Sequence, residues 1–366
     1  MKFTCIRSDF SNAVSKVKSA ASTKASLPVL EGILIKAYDN KLTVCGYDLE
    51  IGMITEIDAT IQKEGEIVIS AARLDEIIRK LPEEIVSFET DERLITYISS
   101  GKTDYKIPGI SSTDYPEMPS FDELEKITVN SKVLKSMIKQ TIYAVSTNFA
   151  KPIYTGSLFE FEKNIFRIVA IDGFRMALRE ENIDADIESK FVVPGKAQNE
   201  IIKLITDEEK NVEIIIGQRH INFKVENFSI ISRLIEGTFI DYKSTIPKTA
   251  QTEFVINTRS FYSSVDRVAV LNEKIQSPVR CNITSDEIKF SCTTSLGNVK
   301  DEISANVIGQ DVEIGFNSSY MLDALRNTDT DEVKFILNGG LSPIIIKPVK
   351  SDSFTFLVVP MRLSAK

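Results

Sequence analysis

The chain has 366 residues, 43% apolar and 26% charged, with 44 Lys and Arg against 52 Asp and Glu and a formal charge of −8. This length and balance describe a globular protein with room for two or three cores, and the acidic sum excludes an all-over nucleic-acid coat while permitting a local basic surface. No run approaches the roughly 18 apolar residues of a membrane helix, and Met1-Lys2-Phe3-Thr4-Cys5-Ile6-Arg7 turns polar before a secretory segment could form, so a cytoplasmic protein is expected.

In chain order, Phe3-x-Cys5 reads as a short strand, and Phe10, Val14 and Val17 as the buried face of a helix after it. Segments 33–38 and 41–45 alternate as strands about an Asp39-Asn40 turn, and 70–81 is a second amphipathic helix. The order returns with Ile127-x-Val129, Leu134 and Ile138, then strands 158–161 and 166–169, a helix over 194–205, and strands 212–216 and 220–225. It returns again with Phe254-x-Ile256, Phe261, Val265 and Val268, strands 280–283 and 288–291, and a helix over 317–328. Offsets of about 124 residues separate the copies. Ser8, Ser70, Ser131, Thr258 and Ser318 stand at or near expected helix N-caps. Every copy reads helix, strands, helix, strands, which is α+β with antiparallel sheets. Polar, proline-bearing segments at 112–119 and 246–250 divide the chain into three similar domains, 1–124, 125–249 and 250–366.

Within the central copy, 168–178 forms two apolar strands joined over Asp172-Gly173, a tight-turn dipeptide, with versions of the same hairpin near 45 and 292. A hairpin is ordinarily scaffold. The last apolar run of the chain is also extended and could lie beside this one.

Chemistry that needs clustered side chains finds little material. Cys5, Cys45, Cys281 and Cys292 are widely spaced within apolar alternation and read as reduced core residues. His220 is the only histidine, which leaves a His-based zinc site or a Ser-His-Asp triad without parts. No G-x-x-x-x-G-K-[ST] phosphate loop is present, and the carboxylates Asp172, Glu180, Glu181, Asp184 and Asp186 read as a solvated connection. No enzyme, metal or cofactor is expected.

Charge is distributed by element. The helical segments 8–20, 71–81, 131–146, 195–206, 258–270 and 317–328 hold 13 basic and six acidic residues, a net +7 that leaves −15 for the rest. Amphipathic helices favour Lys on the wet face, but Glu has nearly the same propensity, so helix preference alone predicts balance. The excess points to a surface that meets phosphate, and without an aromatic ladder or recognition helix it fits sequence-blind contact with duplex backbone.

Met1-Lys2-Phe3-Thr4, Leu27-Pro28-Val29-Leu30, Asp48-Leu49-Glu50, Ala170-Ile171-Asp172-Gly173-Phe174-Arg175, Asp241-Tyr242, Gly315-Phe316-Asn317 and Val359-Pro360-Met361-Arg362-Leu363 then appear in succession. In these motifs and their order the sequence closely resembles the bacterial DNA polymerase III beta subunit family, the replicative sliding clamps. The resemblance implies three similar domains per chain, each with two helices packed on antiparallel sheets, and a head-to-tail homodimer closed into a six-domain ring. The ring would encircle duplex DNA and tether the polymerase III alpha subunit, the clamp loader, and other polymerases and repair proteins.

Carried over by motif, the DNA-facing residues are Lys24, Arg73, Lys80, Asn148 and Lys196. Tyr105 and Ile107 on an outer strand, with Val270 and Leu271 after a helix, fall at the dimer interface. The groove for partner peptides is carried by Tyr154, Ile171, Gly173, Phe174, Arg175, Met176, Ile240, Ser244 and Thr245. Tyr320, Leu341, Pro343, Leu357, Val359, Pro360, Met361 and Arg362 complete it. Phe174, Ile171, Ser244 and Thr245 depart from the family's common residues, which implies altered peptide specificity. Ser364-Ala365-Lys366 runs past the usual Met-Arg-Leu ending and either screens the groove or frays. The alternative, a repeat-built scaffold that binds proteins without encircling DNA, explains the repeat but not the charge on the helices.

Overall fold

Strands run straight into helices at each repeat, and this junction sets the rest of the architecture. The computed structural model describes residues 1–119, 124–206, 209–272 and 277–363, and the extension at Ser364-Ala365-Lys366 lies outside them. Among the described residues the α-helices are α1 (Arg7–Val17), α2 (Ala71–Lys80), α3 (Ser131–Thr141), α4 (Gly195–Leu204), α5 (Thr258–Ala269) and α6 (Ser318–Arg326). Phe10, Val14 and Val17 are fully buried on α1, and Phe261, Val265 and Val268 do the same on α5, as the periodicity predicts.

The caps lie one residue earlier than expected. Asn257 Oδ1 accepts from Ser260 N at 3.0 Å, Asn317 Oδ1 from Ser319 N at 2.9 Å, and Asn130 Oδ1 from Lys132 N at 3.0 Å. Each asparagine ends its strand or directly follows it, so the helix starts at once and Ser131 and Ser318 turn inward, buried in the first turn. Ser70 holds the cap position of α2 without a side-chain bond, and Ile6, not Ser8, precedes α1.

The described residues group into two compact units, Met1–Lys132 with Lys196–Leu234, and Val133–Gly195 with Ile235–Lys366. The central copy contributes to both. In the first unit an eight-stranded antiparallel sheet pairs Phe228–Arg233, from the central copy, with Ile51–Asp58 from the first. In the second, a seven-stranded sheet pairs Arg175–Pro194 with Phe354–Val358 from the last copy. Polar connectors mark the repeat in sequence, yet backbone pairing continues across them, because a strand edge left unpaired is a liability.

Each unit also has a smaller sheet. One is five-stranded, with Lys2–Ile6 inside and Thr103–Pro108 at its edge. The other has four strands, with Gly297–Ser304 at its edge. The repeat recurs in the cores: Phe3 stacks on Phe88 at 4.7 Å with Phe10 edge-on, and Phe254 stacks on Phe335 at 4.9 Å beside Phe261. All four cysteines are buried and free.

The carboxylate run is not a loop. Glu180, Glu181, Asp184 and Asp186 lie within the strand Arg175–Pro194, Asp184 and Asp186 exposed and Glu180 and Glu181 half-buried and paired with Arg167 and Arg179. Ion pairing on a wet strand hides the hydrophobic alternation by which strands are recognised.

α1 packs against the strand Lys41–Tyr47, where a Cβ on Gly46 would stand 2.5 Å from the Val17 carbonyl oxygen. Backbone does not yield as a side chain does. Gly46→Ala is expected to destabilise the first unit by about 2–3 kcal/mol, read as a lower urea midpoint with an unchanged m-value.

Candidate partner groove and phosphate-facing helices

The hairpin at Asp172 is a three-residue turn. Asp172 Oδ1 accepts from Phe174 N at 2.9 Å and Arg175 N at 3.0 Å, and Gly173 takes φ +97°, a conformation L residues rarely adopt. Phe174 is thereby turned out to 60% exposure. Its ring lies over Tyr320 at 6.2 Å. Arg175 folds beneath, bonded to Asp172 at 2.9 Å and Asp323 at 2.6 Å, with its guanidinium 4.6 Å from the Tyr320 ring centre. Burial lowers its proton affinity, but the two aspartates outweigh this and hold the pKa above the ordinary range.

An open cleft of about 570 Å³ is lined by Tyr154, Gly173, Phe174, Arg175 and Tyr320 together with Val145, Ser146, Asn148 and Lys151. Beside the hairpin the tail is tied in place. Val359 N donates to Phe174 O at 2.9 Å, and Met361 N to Gly315 O at 2.8 Å. Ile171, Met176 and Leu357 are 8%, 2% and 5% exposed, so they form a buried apolar layer with Tyr242 and Ile345 instead of projecting. Strand alternation locates a face but not its exposure. Thr245 Oγ1 reaches Met176 Sδ at 4.0 Å, Ser244 is exposed and Ile240 is 43% exposed. Val359 and Pro360 are on the surface side of the tail. Ile240, Ser244, Thr245, Leu341, Pro343, Val359, Pro360, Met361 and Arg362 do not line the cleft itself, and Leu341 is 84% exposed on the turn before Ile344–Pro348.

Of the expected phosphate contacts, Lys24 and Arg73 are exposed and make no ion pair among the described residues. Lys80 bonds Glu76 at 2.6 Å, and Lys196 pairs with Asp48. Asn148 lines the cleft beside Tyr154. The six acids counted on the helices are partly withdrawn: Asp75 and Glu200 are nearly buried, held by Lys18 at 2.8 Å and Lys203 at 2.7 Å. Arg79, Lys139 and Arg259 are exposed and likewise make no ion pair among the described residues; with Arg73 they outnumber Asp9 and Asp266, the exposed helix acids that make none there, so the unpaired charge on the helices is net positive.

Tyr105 and Ile107 lie half-buried on Thr103–Pro108, a strand paired on one side only. Val270 is 66% exposed, and Leu271 beside it is half-buried. Sequence reading missed the neighbouring edge Gly297–Ser304, whose half-buried Val299 and Ile303 alternate with exposed polar residues. It also missed Asp323, Tyr143 and Val145 around Arg175 and the cleft. Only the third dimension shows these.

Repeated helix pairs on antiparallel sheets, with basic helices and an open cleft beside the Asp172 hairpin, are the features of a DNA clamp. Models of the N-terminal, central and C-terminal domains of the DNA polymerase III beta subunit match residues 1–119, 128–241 and 243–362. The beta sliding clamp of Staphylococcus epidermidis is 33% identical over 374 residues, covering 99% of each chain. The crystal structure of the Bacillus subtilis sliding clamp superposes with a TM-score of 0.96 at 31% identity over all of both chains. A Pseudomonas aeruginosa clamp bound to griselimycin gives 0.94 at 25% identity, covering 99% of this chain and 100% of its own. The chain belongs to the DNA polymerase III beta subunit family, the beta sliding clamps, which are non-catalytic processivity factors of DNA replication. No helix among the described residues is long and apolar enough to cross a membrane.

Proposed function

We propose that two copies of this chain join head to tail into a ring that encircles duplex DNA in the cytoplasm and tethers replication and repair proteins through the cleft at Phe174. In this reading the three repeats serve as three domains, 1–124, 125–249 and 250–366. Their helices face the DNA, with Lys24, Arg73, Lys80 and Lys196 meeting phosphate and Asn148 near the mouth of the cleft. The observation that carries the proposal is the excess of unpaired positive charge on the helices: Arg73, Arg79, Lys139 and Arg259 are exposed and make no ion pair among the described residues, Asp75 and Glu200 are nearly buried and paired, and Asp9 and Asp266 are the exposed helix acids that make no ion pair there. Phosphate contacts of this kind position without reading bases.

The open edges Thr103–Pro108 and Gly297–Ser304 support the dimer, since an edge with half-buried apolar residues invites a second chain. The griselimycin-bound relative supports a ligand-accepting groove. Retention on closed circular DNA, lost when the circle is cut, is the expected behaviour; equal retention on both forms, or none on either, overturns the ring and leaves the protein-binding scaffold. For Lys24→Ala and Arg73→Ala, binding should weaken uniformly across sequences. Each should lower the slope of log K against log salt by about one.

A further inference from the structure

Asp241-Tyr242 lies in the segment between the strand Phe228–Arg233 and the strand Thr252–Asn257. It opens the short 3₁₀ turn Tyr242–Thr245, which carries Ser244 and Thr245 and directly follows Ile240. The turn's own hydrogen bonds are local: Ser244 Oγ donates to Asp241 O and Thr245 Oγ1 to Tyr242 O, both at 2.7 Å. Neither fixes it to the sheet.

Tyr242 does. Its ring is 4% exposed and packs in the layer containing Ile171, Met176 and Leu357, and its hydroxyl donates to Glu160. Glu160 is 1% exposed, an unusual place for a carboxylate. It is held there by Lys190 at 2.6 Å, Arg167 at 3.4 Å and Lys243 at 3.7 Å. Lys243 also reaches Glu162 at 3.2 Å. Two consecutive residues of the turn are thus tied to one pair of carboxylates. Burial alone would raise the Glu160 pKa, but hydrogen bonds from Lys190 and Tyr242 and the charges of Lys243 and Lys190 hold it below the usual carboxylate range. The acceptor stays ionised, which makes the tyrosine bond a charge-assisted one.

We propose that Tyr242 is a positioning residue of the partner groove: its bond to buried Glu160 anchors the turn 240–245, whose Thr245 reaches Met176 of the Asp172 hairpin, and so sets the affinity for partners without touching them. The inference rests on the groove reading above. Removing the hydroxyl leaves the ring in its apolar layer and leaves Glu160 with three cations, so the fold is little affected. The turn, however, loses its hydrogen bond to Glu160, and a segment left mobile must be ordered again on binding.

The test uses the full chain and griselimycin, with binding followed by surface plasmon resonance. Tyr242→Phe should bind about tenfold more weakly and Lys243→Ala about threefold, with melting temperatures within about 2 °C of wild type. Amide hydrogen exchange should quicken over 240–246 in free Tyr242→Phe and return toward wild-type rates when griselimycin is saturating. Unchanged affinity in Tyr242→Phe, alongside lost binding in a Phe174→Ala, Met361→Ala control, overturns this inference and spares the groove. Unchanged binding in that control overturns the groove itself. A Tyr242→Phe protein whose exchange rises throughout the second unit would make the residue a general support of the fold, which also refutes the proposal.

Discussion

A protein carrying Phe174→Ala and Met361→Ala should bind griselimycin, or a clamp-binding peptide of the polymerase alpha subunit, at least about 100-fold more weakly than wild type. Anchors at the centre of a small interface are worth about 2 kcal/mol or more each, and 1.4 kcal/mol is a factor of ten. Phe174 qualifies because it is both exposed and supported. Its ring is 60% accessible, yet the Asp172 turn and the face of Tyr320 fix its direction. Met361 is held through its backbone bond to Gly315. Because neither side chain is in the core, the melting temperature should stay within a few degrees, separating lost binding from lost folding. Wild-type affinity in the double variant would remove the groove from this face.

Tyr105→Asp combined with Leu271→Asp should sediment as a single chain of 41.0 kDa at concentrations where the wild type sediments as the proposed dimer. A carboxylate forced into an apolar contact costs several kcal/mol, and the two substitutions together should raise the dissociation constant at least about 1,000-fold. Retention on circular DNA should vanish as well, since an open chain cannot be trapped topologically. An unchanged dimer would free both positions from the interface, and attention would move to Gly297–Ser304.

Much of this arrangement is legible in the sequence because it is local. Helix faces follow from spacing such as Phe10, Val14 and Val17, and turns from Asp39-Asn40, where both residues take positive φ. The repeat is legible because equivalent phenylalanines, Phe3 and Phe254, stack in equivalent cores. What depends on distant pairing is not. Nothing near Phe228–Arg233 indicates that its partner is Ile51–Asp58, and nothing near Glu160 indicates three cations and a tyrosine around it. Motif names candidates for the groove, but the burial of Ile171, Met176 and Leu357 depends on the layer they share.

The Asp172 turn is built twice. Asp48 Oδ1 accepts from Glu50 N at 3.0 Å and Ile51 N at 2.8 Å, the same bonds 124 residues earlier, with Leu49 at φ 76° in place of Gly173. Across the two hairpins Tyr47 pairs with Gly52, and Ile171 with Met176. In the first copy the connector's Met118 sits against Gly52, its sulfur 2.6 Å from where a Cβ would be. The residue 124 positions after Met118 is Tyr242. The same position of the repeat is thus a stopper in one copy and a post in the other. The exchange cannot be reversed by a single substitution, because the counterpart of Glu160 in the first copy is Lys36, which has no acceptor to offer a tyrosine. The same turn therefore carries different surroundings in the two copies, and the open cleft lies beside the second.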